Sequence, residues 1–102
     1  MIKLGADNFE SEVTCCEGTV LVVFTAPWCG YCHSMLKALD MIKDRLEGVK
    51  LAVVDIEESD ELANRLSIKS VPTSVVFSQG KESARVSGLL SKARILSLLK
   101  LR

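Results

Sequence analysis

Apolar residues along this chain switch between two rhythms, and the switches predict its elements. Phe9, Val13 and Cys16 fall at i, i+4 and i+7, one face of a short helix. Asp7 with Glu10 reads as its capping box, and Glu17-Gly18 as its end. Thr19 to Thr25 is β-branched and apolar on both faces, which predicts a strand buried from both sides. Pro27 stops it. A helix follows from about Gly30 to Glu47. Met35, Leu39, Ile42 and Leu46 share one stripe, and Lys37, Asp40, Lys43, Asp44 and Glu47 face away. Gly48 is its expected C-cap, with Lys43 and Arg45 in the last turn.

Val49 to Ile56 reads as a second buried strand. Ser59 is placed to cap a short helix through about Leu66, with Asp60 and Glu61 in the first turn. After Val71-Pro72-Thr73 a strand runs to about Phe77. Ser78-Gln79-Gly80-Lys81 is a turn, and Ala84 to Val86 pairs back as an edge strand. Ser91 caps a last helix with Ile95, Leu98 and Leu99 inward, and Ile2 to Leu4 is a possible further strand. Strands alternating with helices predict an α/β fold. Its core sheet is expected to be parallel and covered by helices on both faces, made mixed by the terminal hairpin.

The 102 residues fit one domain, expected over 1–102, and 48% of them are apolar, too many for disorder. A chain of this length buries enough surface to fold without a metal or a disulfide. Thirteen basic groups against thirteen acidic ones give no net charge, which argues against nucleic acid as the main partner. The longest unbroken apolar run, Val20 to Phe24, cannot span a bilayer. No signal-peptide pattern opens the chain, so the expected location is the cytosol. The charge is uneven. Residues 81–102 carry six basic groups and one acidic, while Asp55, Glu57, Glu58, Asp60 and Glu61 form an acidic cluster. Both read as solvated faces, with partner docking as the alternative.

The chemistry concentrates at Trp28-Cys29-Gly30-Tyr31-Cys32. Here a strand ends and a helix begins, where backbone N–H groups and the helix dipole favour an anion. Cys29, nearest the helix start, is the expected nucleophile. Cys32, one turn in, is placed to resolve a mixed disulfide, which makes the pair a dithiol–disulfide exchange device. The competing reading is half a zinc site. A zinc site needs four ligands, and only Cys15, Cys16 and His33 remain to supply them. Cys16 reads as a small core hydrophobe and Cys15 as a partly exposed thiol.

Phe24-Thr25-Ala26-Pro27-Trp28-Cys29-Gly30-Tyr31-Cys32 resembles the active-site segment of the thioredoxin family. Val71-Pro72-Thr73, forty residues after Cys32, resembles that family's cis-proline loop, and Gly88-Leu89-Leu90-Ser91-Lys92 its glycine turn before the last helix. The resemblance covers essentially the whole chain. It implies the thioredoxin fold and protein disulfide oxidoreductase activity, with Cys29 and Cys32 as the redox-active disulfide and no cofactor or metal. It further implies a shallow apolar groove of Trp28, Gly30, Tyr31, Val71, Pro72 and Gly88 around Cys29, with the Val71 backbone pairing to an extended substrate. The implied partners are disulfide-containing proteins and a reductase such as a thioredoxin reductase, with no nucleic acid or membrane. A monomer is expected, with a weak dimer as the alternative.

The chain departs from the family pattern at several points. Val23 stands where the family buries an aspartate, six residues before Cys29, and Val53 where its lysine partner lies. Lys37 replaces the proline that kinks the active-site helix. Tyr31 and His33 resemble the disulfide-isomerase branch. His33, four residues after Cys29, is placed either to favour the thiolate or simply to face solvent, and solvent is the expected setting. These departures keep the chemistry and open its direction. Reduction is the leading reading, and oxidation or isomerisation, a glutaredoxin-like role and a redox-idle binding module are the alternatives.

Overall fold

A computed structural model describes residues 1–100. The strands are β1 (Ile2–Lys3), β2 (Thr19–Thr25), β3 (Val49–Asp55), β4 (Thr73–Ser78) and β5 (Lys81–Ser87), and the helices are α1 (Gly30–Ile42), α2 (Asp60–Arg65) and α3 (Lys92–Lys100). One sheet holds all five strands in the order β1-β3-β2-β4-β5. β2 lies at its centre, parallel to β3 and antiparallel to β4.

The alternation along β2 sorts the core into two layers. Val20, Val22 and Phe24 join Phe9, Val13, Val54, Leu62 and Phe77 on one face, where α2 and the N-terminal turn pack. Leu21 and Val23 join Met35, Leu39, Val76, Ile95 and Leu99 on the other, under α1 and α3. Leu98 is only partly buried there. The sheet is therefore mixed and flanked by helices on both faces, the thioredoxin architecture that the sequence implied.

The parallel core is smaller than the pattern predicted, because β4 opposes β2. The connection between β3 and β4 contains little helix. Six helical residues in α2 advance roughly 9 Å, whereas a seven-residue strand is about 23 Å long. α2 alone does not carry the chain back to the far end of the sheet, and the residues after it stay near the cysteines, where Val71 packs. β4 therefore starts where β3 stopped and runs the other way. β3 is also less buried than expected, since its outer neighbour β1 is only two residues long.

The N-terminal helix differs in kind. Residues Glu10–Thr14 form a single π-helical turn, closed by Cys15 N–H to the Glu10 carbonyl at 2.8 Å. Phe9 at its start is already helical, so the Asp7–Glu10 capping box does not form. Asn8 organises the entry instead, accepting from Gly5 N–H at 2.8 Å and donating to the Lys3 carbonyl at 3.0 Å.

α1 stops at Ile42 rather than Glu47, and Lys43–Arg45 tightens into a 3₁₀ turn that keeps Leu46 buried. Ser59 precedes α2 without capping it through its side chain, whereas Ser91 Oγ does cap α3, accepting from Arg94 N–H at 3.1 Å. Gln79 and Gly80 both adopt positive φ, the pairing a two-residue hairpin turn requires. Gly80 also abuts the Thr14 carbonyl so closely that a Cβ there would collide with it.

Candidate active site

Strand β2 ends at Thr25, and the chain turns through Ala26-Pro27-Trp28 into α1. Cys29 is the N-cap of that helix, in extended conformation. Its sulfur accepts from Cys32 N–H at 3.1 Å, in the place a serine or aspartate oxygen usually takes. Cys29 and Cys32 are joined as a disulfide with a Cα–Cα distance of 5.3 Å. The helix N-terminus and this N–H both favour negative charge on the Cys29 sulfur once the bond is reduced.

Burial ranks the two cysteines. Cys29 retains 6% of its surface and Cys32 only 1%. Cys29 is thus the more accessible of the two residues. Both pack with Ala26, and Ile56, just after β3, and Val71, in the loop before β4, close the same small cluster.

The expected groove residues fall into two sets. Val71 touches the cysteine cluster, the Val71–Pro72 peptide bond is cis, and Gly88 N–H donates to the Pro72 carbonyl at 2.8 Å. Gly88 has φ +96 and open space where a side chain would stand, so the rim there is bare backbone. Gly30 likewise meets nothing at its missing Cβ. Trp28 and Tyr31 instead project outward, 67% and 68% exposed, and Leu89 beside Gly88 is half exposed. The surface around Cys29 is thus shallow, apolar and open, suited to a chain laid across it rather than to a small molecule enclosed.

Sequence reasoning missed the acid at this rim. Glu57 Oε2 accepts from the Trp28 indole N–H at 2.7 Å. Asp55 Oδ1 shapes the loop that delivers it, accepting from Glu57 N–H at 2.8 Å and Glu58 N–H at 3.3 Å. The acidic cluster contained the residue, but nothing in the pattern singled it out. His33 is exposed, as expected, and its ring pairs with the Pro27 carbonyl at 3.2 Å rather than with a sulfur.

Beneath the site, Val23 is fully buried between Val53 on β3 and Ser74 on β4. Ser74 is also fully buried, and its hydroxyl donates only to the Met35 sulfur, at 3.9 Å. Among the described residues no carboxylate is buried in the core. Cys15 and Cys16 are free thiols, the first exposed and the second half-buried against the Phe9–Val13 cluster. Among the described residues no group of three His, Cys, Asp or Glu side chains is arranged to hold a metal ion.

The thioredoxin family model matches residues 1–101. The chain is 34% identical over 100 residues to a thioredoxin of Chlamydia pneumoniae, covering 97% of this chain and 96% of that one. It is 34% identical over 93 residues to a thioredoxin of Chlamydia trachomatis serovar D, covering 91% and 89%. An M-type chloroplastic thioredoxin of Triticum aestivum is 31% identical over 93 residues, covering 90% of this chain and 53% of that longer protein.

Proposed function

The chain belongs to the thioredoxin family and is a thiol–disulfide oxidoreductase, and we propose that it works as a reductase of protein disulfides through Cys29 and Cys32. The observation that carries this reading is the disulfide at the N-terminus of α1, with Cys29 the less buried of its two residues and the exposed Trp28 and Tyr31 on either side of it. In the reduced protein the Cys29 thiolate attacks one sulfur of a substrate disulfide. A Cys29–substrate disulfide forms, and the other substrate sulfur leaves as a thiolate that takes a proton. Cys32, as thiolate, then attacks the Cys29 sulfur and releases the second substrate thiol. Two electrons pass to the substrate, and the protein is left as the Cys29–Cys32 disulfide.

Trp28, Gly30, Tyr31, Val71, Pro72 and Gly88 receive the substrate chain, with the Val71 backbone as its pairing edge. A separate reductase of the thioredoxin-reductase class returns the dithiol. The free thiols at Cys15 and Cys16 suit a reducing compartment such as the cytosol. Among the described residues no helix is long and apolar enough to cross a membrane.

The test is reduction of insulin by dithiothreitol with and without the protein. Acceleration by the wild type and none by Cys29→Ser is the expected result. No acceleration by the wild type overturns the reading. The reduction potential of the Cys29–Cys32 pair then separates a reductase from an oxidase or isomerase.

A further inference from the structure

The exit of α2 carries a conformation that its sequence does not favour. Ser67 has φ +57, a left-handed position where glycine is the usual helix terminator. The backbone there forms the reciprocal pair of terminating bonds. Ile68 N–H reaches the Ala63 carbonyl at 2.9 Å and Ser67 N–H the Asn64 carbonyl at 3.0 Å. Those bonds leave the carbonyls of Leu66 and Ser67 to be satisfied from elsewhere.

Arg85, on β5, supplies both partners. Its Nη2 donates to the Leu66 carbonyl at 2.8 Å and its Nη1 to the Ser67 carbonyl at 3.2 Å. The guanidinium is itself held from the other side. Nε donates to Glu82 Oε2 and Nη2 to Glu82 Oε1, each at 2.8 Å. The fork is thus fixed on its own strand before it grips the loop, an arrangement that the single ammonium of lysine cannot copy.

The gripped segment leads directly to the site. From Ser67 the chain runs through Ile68, which packs on the core, to Val71 against the cysteine cluster and Pro72 beside it. Its far end is pinned by Gly88 N–H on the Pro72 carbonyl at 2.8 Å, and Thr73 Oγ1 closes onto the Ser70 carbonyl at 2.7 Å. Arg85 and Gly88 lie three residues apart at the end of one strand. That strand end therefore holds both ends of the loop that carries Val71.

We propose that Arg85 is a positioning residue for protein disulfides: by clamping the left-handed exit of α2 it sets the Val71 backbone against which a substrate chain is laid. The proposal rests on the reductase reading above. A small disulfide that needs only the Cys29 sulfur is indifferent to the clamp, while a protein substrate depends on it.

The experiment compares two substrates on fully reduced protein, with Trp28 fluorescence as the signal. One is insulin and the other a small aromatic disulfide. Arg85→Met is expected to lower the rate constant with insulin by about 2- to 30-fold, the usual span for residues that act through others. The rate with the small disulfide should stay within about twofold of wild type. Arg85→Lys should resemble Arg85→Met. The double variant R85M/S67G separates positioning from stability, because glycine relieves the left-handed strain but does not replace the contacts to the Leu66 and Ser67 carbonyls that hold the loop in place. It should melt near the wild-type temperature and still react slowly with insulin.

Equal loss with both substrates, recovery of the insulin rate in R85M/S67G, or no loss at all would each overturn the proposal. If wild type reduces the small disulfide but not insulin, the reductase reading falls and the proposal with it. Wild-type activity with an unaffected Arg85→Met sinks the proposal alone.

Discussion

Val23→Asp would put a carboxyl into the driest part of this fold. The Val23 side chain is fully buried, with Val53 and Ser74 as its register partners on the two flanking strands. Losing the buried isopropyl group costs about 1.5–2 kcal/mol. The new carboxyl would meet no cation and one hydroxyl already turned to Met35. Burial without a partner raises a carboxyl from about 3.9 by roughly 3 units or more. With the folded value above the unfolded one, the charge-linked loss is absent below the unfolded pKa and grows as pH rises towards the folded one. At pH 7 it amounts to about 4 kcal/mol, and near pH 4 to almost nothing. The variant should therefore lose about 6 kcal/mol at pH 7 and about 2 at pH 4, against a typical total of 5–15. Thermal melts at the two pH values measure this.

The kinetic consequence runs the other way. A carboxylate under the helix gives Cys32 a local base, typically worth about 10²–10⁴-fold, as pH rises past its own pKa. The V23D/V53K double variant keeps the test sound, because Val53 is the register partner of Val23 and a lysine there offers the acid a countercharge. Stopped-flow fluorescence of Trp28, the single tryptophan, follows the resolving step. A folded double variant that resolves at the wild-type rate would refute the idea that Cys32 lacks a base. Equal stability losses at pH 4 and pH 7 would refute the burial argument.

Three further outcomes are expected. Cys32→Ser should trap a substrate as a mixed disulfide through Cys29, and Cys29→Ser should trap none, because Cys29 is the less buried residue and caps the helix; intact-mass analysis after alkylation decides it. Gly80→Ala should destabilise by more than Gly48→Ala in thermal melts. Both glycines have positive φ, worth about 1–2 kcal/mol against alanine, but only Gly80 also faces the Thr14 carbonyl. Glu57→Ala should alter the emission of Trp28 by freeing its indole N–H, whereas Glu57→Gln, which keeps an accepting oxygen, should leave it near wild type.

What the sequence revealed and what it hid divide along a physical line. β2 was legible to the residue, because a β-branched run apolar on both faces has few other homes. The start of α1, the Gln79-Gly80 turn and the Ser91 cap were legible for the same local reason. The dithiol stood out because its spacing and its place at a helix start are both written within a few residues. The direction of β4 was not legible, since it follows from the path of the whole connection, residues 56–72, rather than from the pattern within any one element. The π turn also escaped, because a helical stripe of three residues does not distinguish wide turns from ordinary ones. Glu57 and Arg85 were hidden most completely. Their partners lie 29 and 18–19 residues away, and charged residues on exposed segments usually have no fixed partner at all.

The two margins of the sheet bear on how such a protein stays apart from its own copies. One margin is β1, whose two residues are too few to template another strand. The other is β5, seven residues long, which carries Lys81, Glu82 and Arg85. Charged side chains along an outer strand oppose the lateral pairing that leads to aggregates. On the proposed reading the segment around Val71 accepts an extended chain, and the charges on β5 discourage that same kind of pairing along the sheet margin.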